Sequence, residues 1–590
     1  MQNFLGIICF QGHASAAALI RDGVITDACI EDRFTRNKQD TAFPQQAVQS
    51  ILDRHHLRIT DISHAAFAWS PRKSLAGQAR QLLQLGLPPP EYFLNARQHH
   101  GGLSRVDKFL RMARVGREFE RFFGACPPLA FVPNHVAHSY SAALATPHSG
   151  TLLSVVADGS GEDAAISCFE VRGGRHRQVA STPIPHSFGI LYSAVTQALG
   201  FVPDSDEYKV MGLSSYGGPV PDPQLSAALD RVVEVRDGRL HLDLRYFQLH
   251  RSADRFFTDD LLKLLNLDGT TPTFAARARI ARCLQDLLER RMAELIEQVV
   301  AHMPHKPNAL CTSGGVFLNC LLNESLRRRF QASDSHVHFE HFHFSPIADD
   351  NGTALGAAAW AHHQQTQKWP APYANLALGP AYSAAEMETA LRQADDCVWR
   401  QLTDHALEVA QELAAGRVVA YYQGRAEFGP RALGSRSILA DPRPADMKER
   451  MNAKVKLREA FRPYAPSVLA ERADAYFAMP SAEALPYMIE TVHARPQHAA
   501  EIPSVVHNDG TSRVQTVSRD QNPGFHDVLA AFERLTGVPV LLNTSFNLDG
   551  QPIVNSPRDA VDCFVNSDID VLVMGPYLIE KKMECQEVAA

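Results

Sequence analysis

The stretch Tyr422-Gln-Gly-Arg-Ala-Glu-Phe-Gly-Pro-Arg-Ala-Leu-Gly-Ser-Arg-Ser-Ile-Leu-Ala-Asp-Pro-Arg443 sets Arg425, Arg431, Arg436 and Arg443 among Gly424, Gly429, Pro430 and Gly434. A charged helical face would alternate Glu with Lys. This run has few carboxylates and too many residues that free or fix the backbone. It therefore reads as tight loops. Guanidinium forks on tight loops match phosphate or carboxylate geometry. The competing reading is a structural ion-pair network, because buried arginine is rare unless paired. Basic residues continue through Lys454, Lys456, Arg458 and Arg462.

As a whole the chain is mildly acidic, with a formal net charge of -7 over 590 residues. That argues against a nucleic-acid partner, which would favour a basic surface. The basic cluster is thus local and points to a small anion. An apolar content of 45% and a charged content of 21% fit a globular protein. The length implies two or more domains. No apolar run reaches membrane-spanning length. The first residues lack the basic lead-in and cleavage site of a signal peptide. The ten cysteines form no Cys-x-x-Cys pair. These features lead us to expect a reduced, cytoplasmic protein.

Upstream, Phe4–Phe10 reads as a buried strand, followed by a turn holding His13 and a further strand at Val24–Ile30. The charged segment after it carries Arg33, Arg36 and Lys38, on a polar loop or facing a site. Residues 72–125 read as a helical, basic insertion. His135 and His138 are near neighbours on a predicted helix after Asn134. Leu152–Ala157 is a strand ending in Asp158, and a strand-end Asp also occurs at Asp350. Two histidines with strand-end aspartates suit a metal centre of mixed N and O ligands. Glu207–Gly217, with Lys209 and Gly212, reads as a loop. The apolar stripe of the long helix from Thr273 to Met303 reads as core. Gly314 and Gly315 precede a helix start, a ready anion or nucleotide site. His341 and His343 share a strand face, with no further ligand at metal spacing, and read as structural. Residues 364–380 read as a linker. Beyond it, Arg513 and the loop Asn543-Thr544-Ser545-Phe-Asn547 offer polar groups to a small ligand. No internal sequence repeat is visible.

Taken together, Gly424–Arg443, Asn452–Pro466, Asn543–Gly550, Ser313–Asn319 and Lys209–Gly212 resemble the O-carbamoyltransferases of the nodulation-protein-U and cephalosporin-carbamoyltransferase type. The resemblance covers nearly the whole chain. It implies an α/β and α+β protein. Residues 1–368 would be an actin-like ATPase fold similar to the threonylcarbamoyl transferases, and 369–590 would be similar to the threonylcarbamoyl-adenylate synthases. The C-terminal domain would convert carbamoyl phosphate and ATP, with Mg2+, to carbamoyl adenylate. The N-terminal domain would bind that adenylate at a divalent metal, Fe2+ by resemblance, and carbamoylate a hydroxyl of a natural-product acceptor, as in antibiotic biosynthesis.

The resemblance also assigns residues. His13, Lys38, Arg425, Arg431 and Arg436 would be catalytic. Arg425, Arg431, Arg436, Arg443, Lys456, Arg458, Arg462, Arg513, Asn543, Thr544, Ser545 and Asn547 would bind carbamoyl phosphate and ATP. Lys209, Gly212, Gly314, Gly315 and Asn319 would hold the adenylate. His138, Asp158 and Asp350 would hold the metal, with Asn134, His135 or water completing the shell. The family usually carries a histidine where this chain has Asn134, and an Asp after the first-loop histidine where it has Ala14. A homodimer would be compatible; no nucleic acid or membrane partner is expected. The alternatives are an actin-fold kinase or ATPase and a non-catalytic nucleotide-binding relative.

Overall fold

A computed structural model describes residues 2–12, 14–94, 103–145, 150–248, 251–252, 254–456, 458–480 and 484–582. The chain divides into two compact units. One comprises Met1–Glu31 with Gln39–Tyr373; the other comprises Ala374–Ala590 with the short segment Asp32–Lys38.

In the first unit, β1 (Asn3–Gln11), β2 (Ala14–Arg21), β3 (Val24–Ile30), β4 (His64–Phe67) and β5 (Leu129–Phe131) form a sheet in the order β3-β2-β1-β4-β5. β1, β2 and β3 are an antiparallel meander; β4 and β5 add parallel on the other side of β1. A second sheet contains β6 (Thr151–Ala157), β7 (Ala164–Arg172) and β8 (Arg175–Pro183). After a small hairpin, β9 (Val233–Arg236) with β10 (Arg239–Leu242), it gains β11 (Ala309–Ser313) and β12 (His341–Phe344). Its order is β12-β11-β6-β7-β8, again a meander followed by two parallel strands. The same topology thus occurs twice, which is the actin-like ATPase architecture. The repeat lies in connectivity and not in residue identity, so the sequence shows none.

β1 is apolar and buried on both faces, as a central strand flanked by packed layers should be. Close packing is set by small residues. The helix Asn351–Thr366 packs on β1 and on the helix Asn134–Ala143. A Cβ at Gly6 would lie 1.9 Å from the Ala354 carbonyl oxygen, and one at Gly356 would lie 1.8 Å from that of Ala137. The apolar stripe Ile280, Leu284, Leu287, Leu288, Leu295, Ile296 and Val299 of helix Phe274–His302 is buried. The basic insertion is helical, over Pro71–Leu85, Glu91–Leu94, Arg105–Ala113 and Val115–Phe123. One local expectation fails: Glu207–Ser214 is a helix and not a loop. Its glycine, Gly212, lies in a helical turn.

The second unit is built on one eight-stranded sheet. Its strands are β13 (Cys397–Gln401), β14 (Val419–Tyr422), β15 (Arg436–Ala440), β16 (Ala465–Leu469), β19 (Gln515–Val517), β20 (Val540–Ser545), β21 (Val571–Met574) and β22 (Tyr577–Lys581). A separate two-stranded piece pairs β17 (Val492–His493) with β18 (Thr511–Ser512). The large sheet runs β13-β22-β21-β14-β15-β20-β16-β19 and mixes parallel with antiparallel pairs. Its helices include Ala384–Arg392, His405–Ala414, Pro523–Thr536 and Pro557–Val565. Among the described residues all cysteines are free thiols, and no helix is long and apolar enough to cross a membrane.

Candidate active sites in the two units

The carboxyl ends of parallel strands β6, β11 and β12 lead into one edge of their sheet, where open α/β sheets collect ligands. Asp158 follows β6, Ser313 closes β11, and Asp350 stands at the start of the helix after β12. His138 enters from helix Asn134–Ala143. Its Nε2 lies 3.2 Å from Asp350 Oδ1 and 3.5 Å from Asp158 Oδ2. Its Nδ1 is 2.9 Å from Ser313 Oγ, which fixes the ring orientation. The imidazole is wholly buried, whereas the two carboxylates are 18% and 20% exposed; the cluster opens on their side. One potential ligand atom from each residue lies within 4.8 Å of the others. Among the described residues this is the one His/Cys/Asp/Glu group with such spacing; His341 and His343 on β12 are not part of it.

Burial pushes the His138 imidazole down, but hydrogen bonds and charge from Asp158 and Asp350 outweigh it and raise its pKa to about 9. Burial pushes Asp158 up, yet His138 and the N–H groups of Gly159 and Gly315 hold its carboxyl below the ordinary value.

Asn134 and His135 point to different neighbours. Asn134 Nδ2 donates to Asp350 Oδ1 at 2.9 Å. Asn134 Oδ1 is buried without a hydrogen-bond partner. His135 Nδ1 lies instead 2.8 Å from Ser167 Oγ on β7. Burial, then the charge of His138, pushes the His135 pKa down to about 3. Glu162, which the sequence reading missed, accepts the main-chain N–H of both Ser70 and Asn134 at 2.8 Å. It thereby fixes the first turn of the helix that carries Asn134. The first loop also reaches the cluster: a Cβ at Gly12 would lie 2.9 Å from Asp350 Oδ2. His13, next to it, lies outside the described residues.

Of the residues expected at an adenylate, Gly314 has φ +97°, and a Cβ there would lie 2.2 Å from the Ala157 carbonyl oxygen. Only glycine fits that turn. A Cβ at Gly315 would lie 3.2 Å from Asp158 Oδ1. Asn319 caps helix Cys320–Gln331, accepting from Leu322 N–H at 3.0 Å and donating to Gln285 Oε1 at 2.8 Å. Lys209 pairs with Asp206 at 3.2 Å.

In the second unit the arginine stretch is the connection from β14 to antiparallel β15. Its arginines differ in what they touch. Arg436 is fully buried, lies 3.6 Å above the Tyr422 ring, and donates to the carbonyls of Gln423, Ser435, Gly424 and Pro380. Arg425 donates to the carbonyls of Gly379 and Leu378. Arg443 forms a two-pronged ion pair with Asp441. The guanidiniums of Arg436 and Arg425 build the loop, whereas Arg443 and Asp441 both lie beyond β15. Glu427, also missed from sequence, is 3% exposed, and its Oε1 accepts from N–H of Leu433, Ser435 and Arg436. A lone carboxylate inside an arginine- and glycine-rich run was the signal available. Arg33 donates to the carbonyls of Glu427 and Gly429. Arg36 donates to those of Ile553 and Pro552 at 2.8 and 3.0 Å. Lys38, in the same segment, is exposed.

A second group gathers at the Asn543 loop. The Lys456 ammonium donates to Ser545 O at 2.6 Å, Asn547 Oδ1 at 2.9 Å and Asn547 O at 3.0 Å. Burial, then the charges of Arg458 and Arg462, pushes its pKa down to about 7. Arg458 stacks 4.1 Å over Tyr464. Burial above all, with the charges of Arg462 and Arg513, pushes it down to about 10. Asn543 donates to Ser467 Oγ at 3.0 Å and Gln515 Oε1 at 3.1 Å, inside a buried amide–hydroxyl network. Thr544 lies on β20 between Asn543 and Ser545.

Two family models match the chain, one described as carbamoyltransferase N-terminus over residues 3–359 and one as carbamoyltransferase C-terminus over 410–581. The chain is 33% identical to the uncharacterised protein sll1178 of Synechocystis sp., covering 99% of this chain and 98% of that protein. It is 34% identical to nodulation protein NolNO of Sinorhizobium fredii, covering 98% and 80% respectively. A solved structure, the ADPNP-bound activator of a 2-hydroxyisocaproyl-CoA dehydratase from Clostridium difficile, aligns at 11% identity and a TM-score of 0.31 over 62% of this chain and 97% of its own.

Proposed function

The chain belongs to the carbamoyltransferase family, and from that membership we propose an ATP-dependent O-carbamoyl transfer in two steps, one for each unit. In the second unit carbamoyl phosphate and ATP would give carbamoyl adenylate. The atoms balance if water releases inorganic phosphate from carbamoyl phosphate and the resulting carbamate oxygen attacks the α-phosphorus of ATP, expelling pyrophosphate. In the first unit an acceptor hydroxyl would attack the carbamoyl carbon, and AMP would leave with the bonding electron pair.

The observation that carries the reading is the charge crowding around Lys456. After burial, the charges of Arg458 and Arg462 lower the basicity of Lys456, and those of Arg462 and Arg513 lower that of Arg458. Crowded cations raise each other's cost and are stabilised by a bound anion. Carbamoyl phosphate and the ATP phosphates are such anions. Arg431, on the loop that Glu427, Arg425 and Arg436 hold in shape, supplies a further guanidinium. Preorganised cations of this kind stabilise charge as it develops in phosphoryl transfer. Arg436 and Arg425 then serve by shaping the site.

For the first unit the donor set fits a divalent metal: one imidazole nitrogen, two partly open carboxylates, and the unpartnered buried oxygen of Asn134. His138, Asp158, Asp350 and Asn134 would hold it, with His135 left to its bond with Ser167. A metal there, Fe2+ by the family likeness, would act as a Lewis acid. Ser313 would hold the His138 ring, and Gly12 would leave room beside Asp350 for a ligand. Gly314 and Gly315 would let the adenylate approach the backbone. The acceptor is a small hydroxylated molecule.

The test is product analysis by mass spectrometry after supplying carbamoyl phosphate, ATP and a panel of alcohols. AMP, pyrophosphate and a carbamate ester are expected. ADP as the sole nucleotide product would overturn the reading in favour of a kinase or ATPase.

A further inference from the structure

The segment Asp32–Lys38 belongs by its contacts to the second unit, although it lies between β3 and the rest of the first unit in sequence. Its helical turn Asp32–Thr35 brings Arg33 into the core of that unit, where the side chain is 6% exposed. Both terminal nitrogens are used on one loop: Nη1 donates to the Glu427 carbonyl and Nη2 to that of Gly429. Arg36, one turn on, anchors the segment at the Pro552 and Ile553 carbonyls and lies 3.8 Å from Asp559.

The two carbonyls that Arg33 holds bracket the bend leading into Arg431. Gly429 has φ +125°, a conformation open to glycine and few others. Pro430 follows with a fixed φ and no N–H to donate. Pinning the carbonyls on either side of Phe428 therefore sets the direction in which Pro430 and Arg431 leave. The far end of the loop is held separately, by Glu427 Oε1 on the amides of Leu433 and Ser435. Glu427 thus takes part in both fastenings, with its carbonyl on Arg33 and its carboxylate on the return limb. A guanidinium is suited to this role because its planar fork holds two acceptors in one fixed geometry, whereas an ammonium on a flexible stem does not fix their spacing.

We infer that Arg33 is a positioning residue for the anion site of the second unit: it sets the course of the β14–β15 loop and so the placement of Arg431. This rests on the reading of Arg431 as a ligand for carbamoyl phosphate. It also assigns residues 32–38 a defined purpose, to complete the adenylate-forming unit from outside its main stretch of sequence.

The test uses the full-length chain with Arg33→Ala, Arg33→Lys, Arg431→Ala and the Arg33→Ala/Arg431→Ala pair. Hydrogen exchange of the 424–436 peptide and the KM for carbamoyl phosphate in pyrophosphate release are measured. Arg33→Ala is expected to speed exchange in that peptide and to raise KM roughly tenfold or more, since small misplacements at a site are costly. Removing Arg33 from an Arg431→Ala background should cost less than about twofold further, because Arg33 acts through the placement of Arg431. Loop exchange within about twofold of wild type, or losses that multiply in the pair, would overturn the inference. Should Arg33→Ala fail to fold, Arg33→Lys decides by the same two readouts, as it keeps the charge but loses the fork. Should the wild type release no pyrophosphate from carbamoyl phosphate and ATP, the proposed function fails, and loop exchange alone still decides the role of Arg33.

Discussion

Asn134 and Asp350, 216 positions apart in sequence, are joined by a 2.9 Å hydrogen bond from the amide Nδ2 to the carboxylate Oδ1. That bond sets the asparagine beside the pair formed by His138 and Asp350, while its own oxygen is buried without a partner. We expect Asn134→Ala to weaken Mn2+ or Fe2+ binding by about 10- to 100-fold in equilibrium dialysis. Asp350→Ala should abolish it, and His135→Ala should leave it nearly unchanged. Equal losses from Asn134→Ala and His135→Ala would disprove the division between them.

The closeness of two helices makes a second test possible. Gly356 lies against the Ala137 carbonyl, one residue before His138. Gly356→Ala places a methyl where none fits and forces the helices apart, at a cost of about 3 kcal/mol. Thermal melting should show the loss, and metal affinity should fall with it, because His138 and Asp350 ride on the two separated helices.

Arg431 and Arg436 should respond differently to alanine. Arg436→Ala leaves buried carbonyls of Gln423, Gly424, Ser435 and Pro380 without their donor and should cost about 3–5 kcal/mol of stability. Arg431→Ala should slow carbamoyl-adenylate formation by about 100-fold without abolishing it, while sparing transfer from supplied carbamoyl adenylate. Chemical denaturation and the two half-reactions separate the cases.

Lys456 gives a pH signature. Its pKa is pushed down to about 7 by burial and by Arg458 and Arg462, whereas an unfolded lysine titrates near 10.4. Between those values the unfolded chain binds the extra proton, so this group contributes rising stability as pH increases through the window. Anion binding opposes the shift. At pH 8–9 carbamoyl phosphate should therefore bind with uptake approaching one proton, read by calorimetry in buffers of different ionisation enthalpy. Uptake should fade below about pH 6, where the amine is already charged. Lys456→Met should remove the uptake.

Strand ends were the legible part of the first unit. An apolar run closing in Asp158, or a small-residue helix opening after Asp350, announces a sheet edge through residue type alone. The doubled topology was hidden because β1–β5 and the β6 sheet share connectivity without sharing side chains. In the arginine stretch the chemistry was legible but its distribution was not. A sequence shows that Arg431 and Arg436 are guanidiniums; only the folded backbone shows that the carbonyls of residues 423, 424, 435 and 380 converge on one of them. Glu427 escaped notice for the same reason, and so did the partners that decide between the two readings of Arg33. The partners of both residues are main-chain groups, which every residue carries and no motif records.

The insertion of residues 32–38 into the second unit has a consequence for synthesis. Arg33 leaves the ribosome 396 positions ahead of Gly429. At about 5–20 residues per second, its partner follows roughly 20–80 s later. For that interval the segment carrying Arg33 and Arg36 waits without its loop. The second unit is therefore the last part of the molecule to close, and a gene cut at the apparent boundary near residue 374 would encode it without its earliest piece.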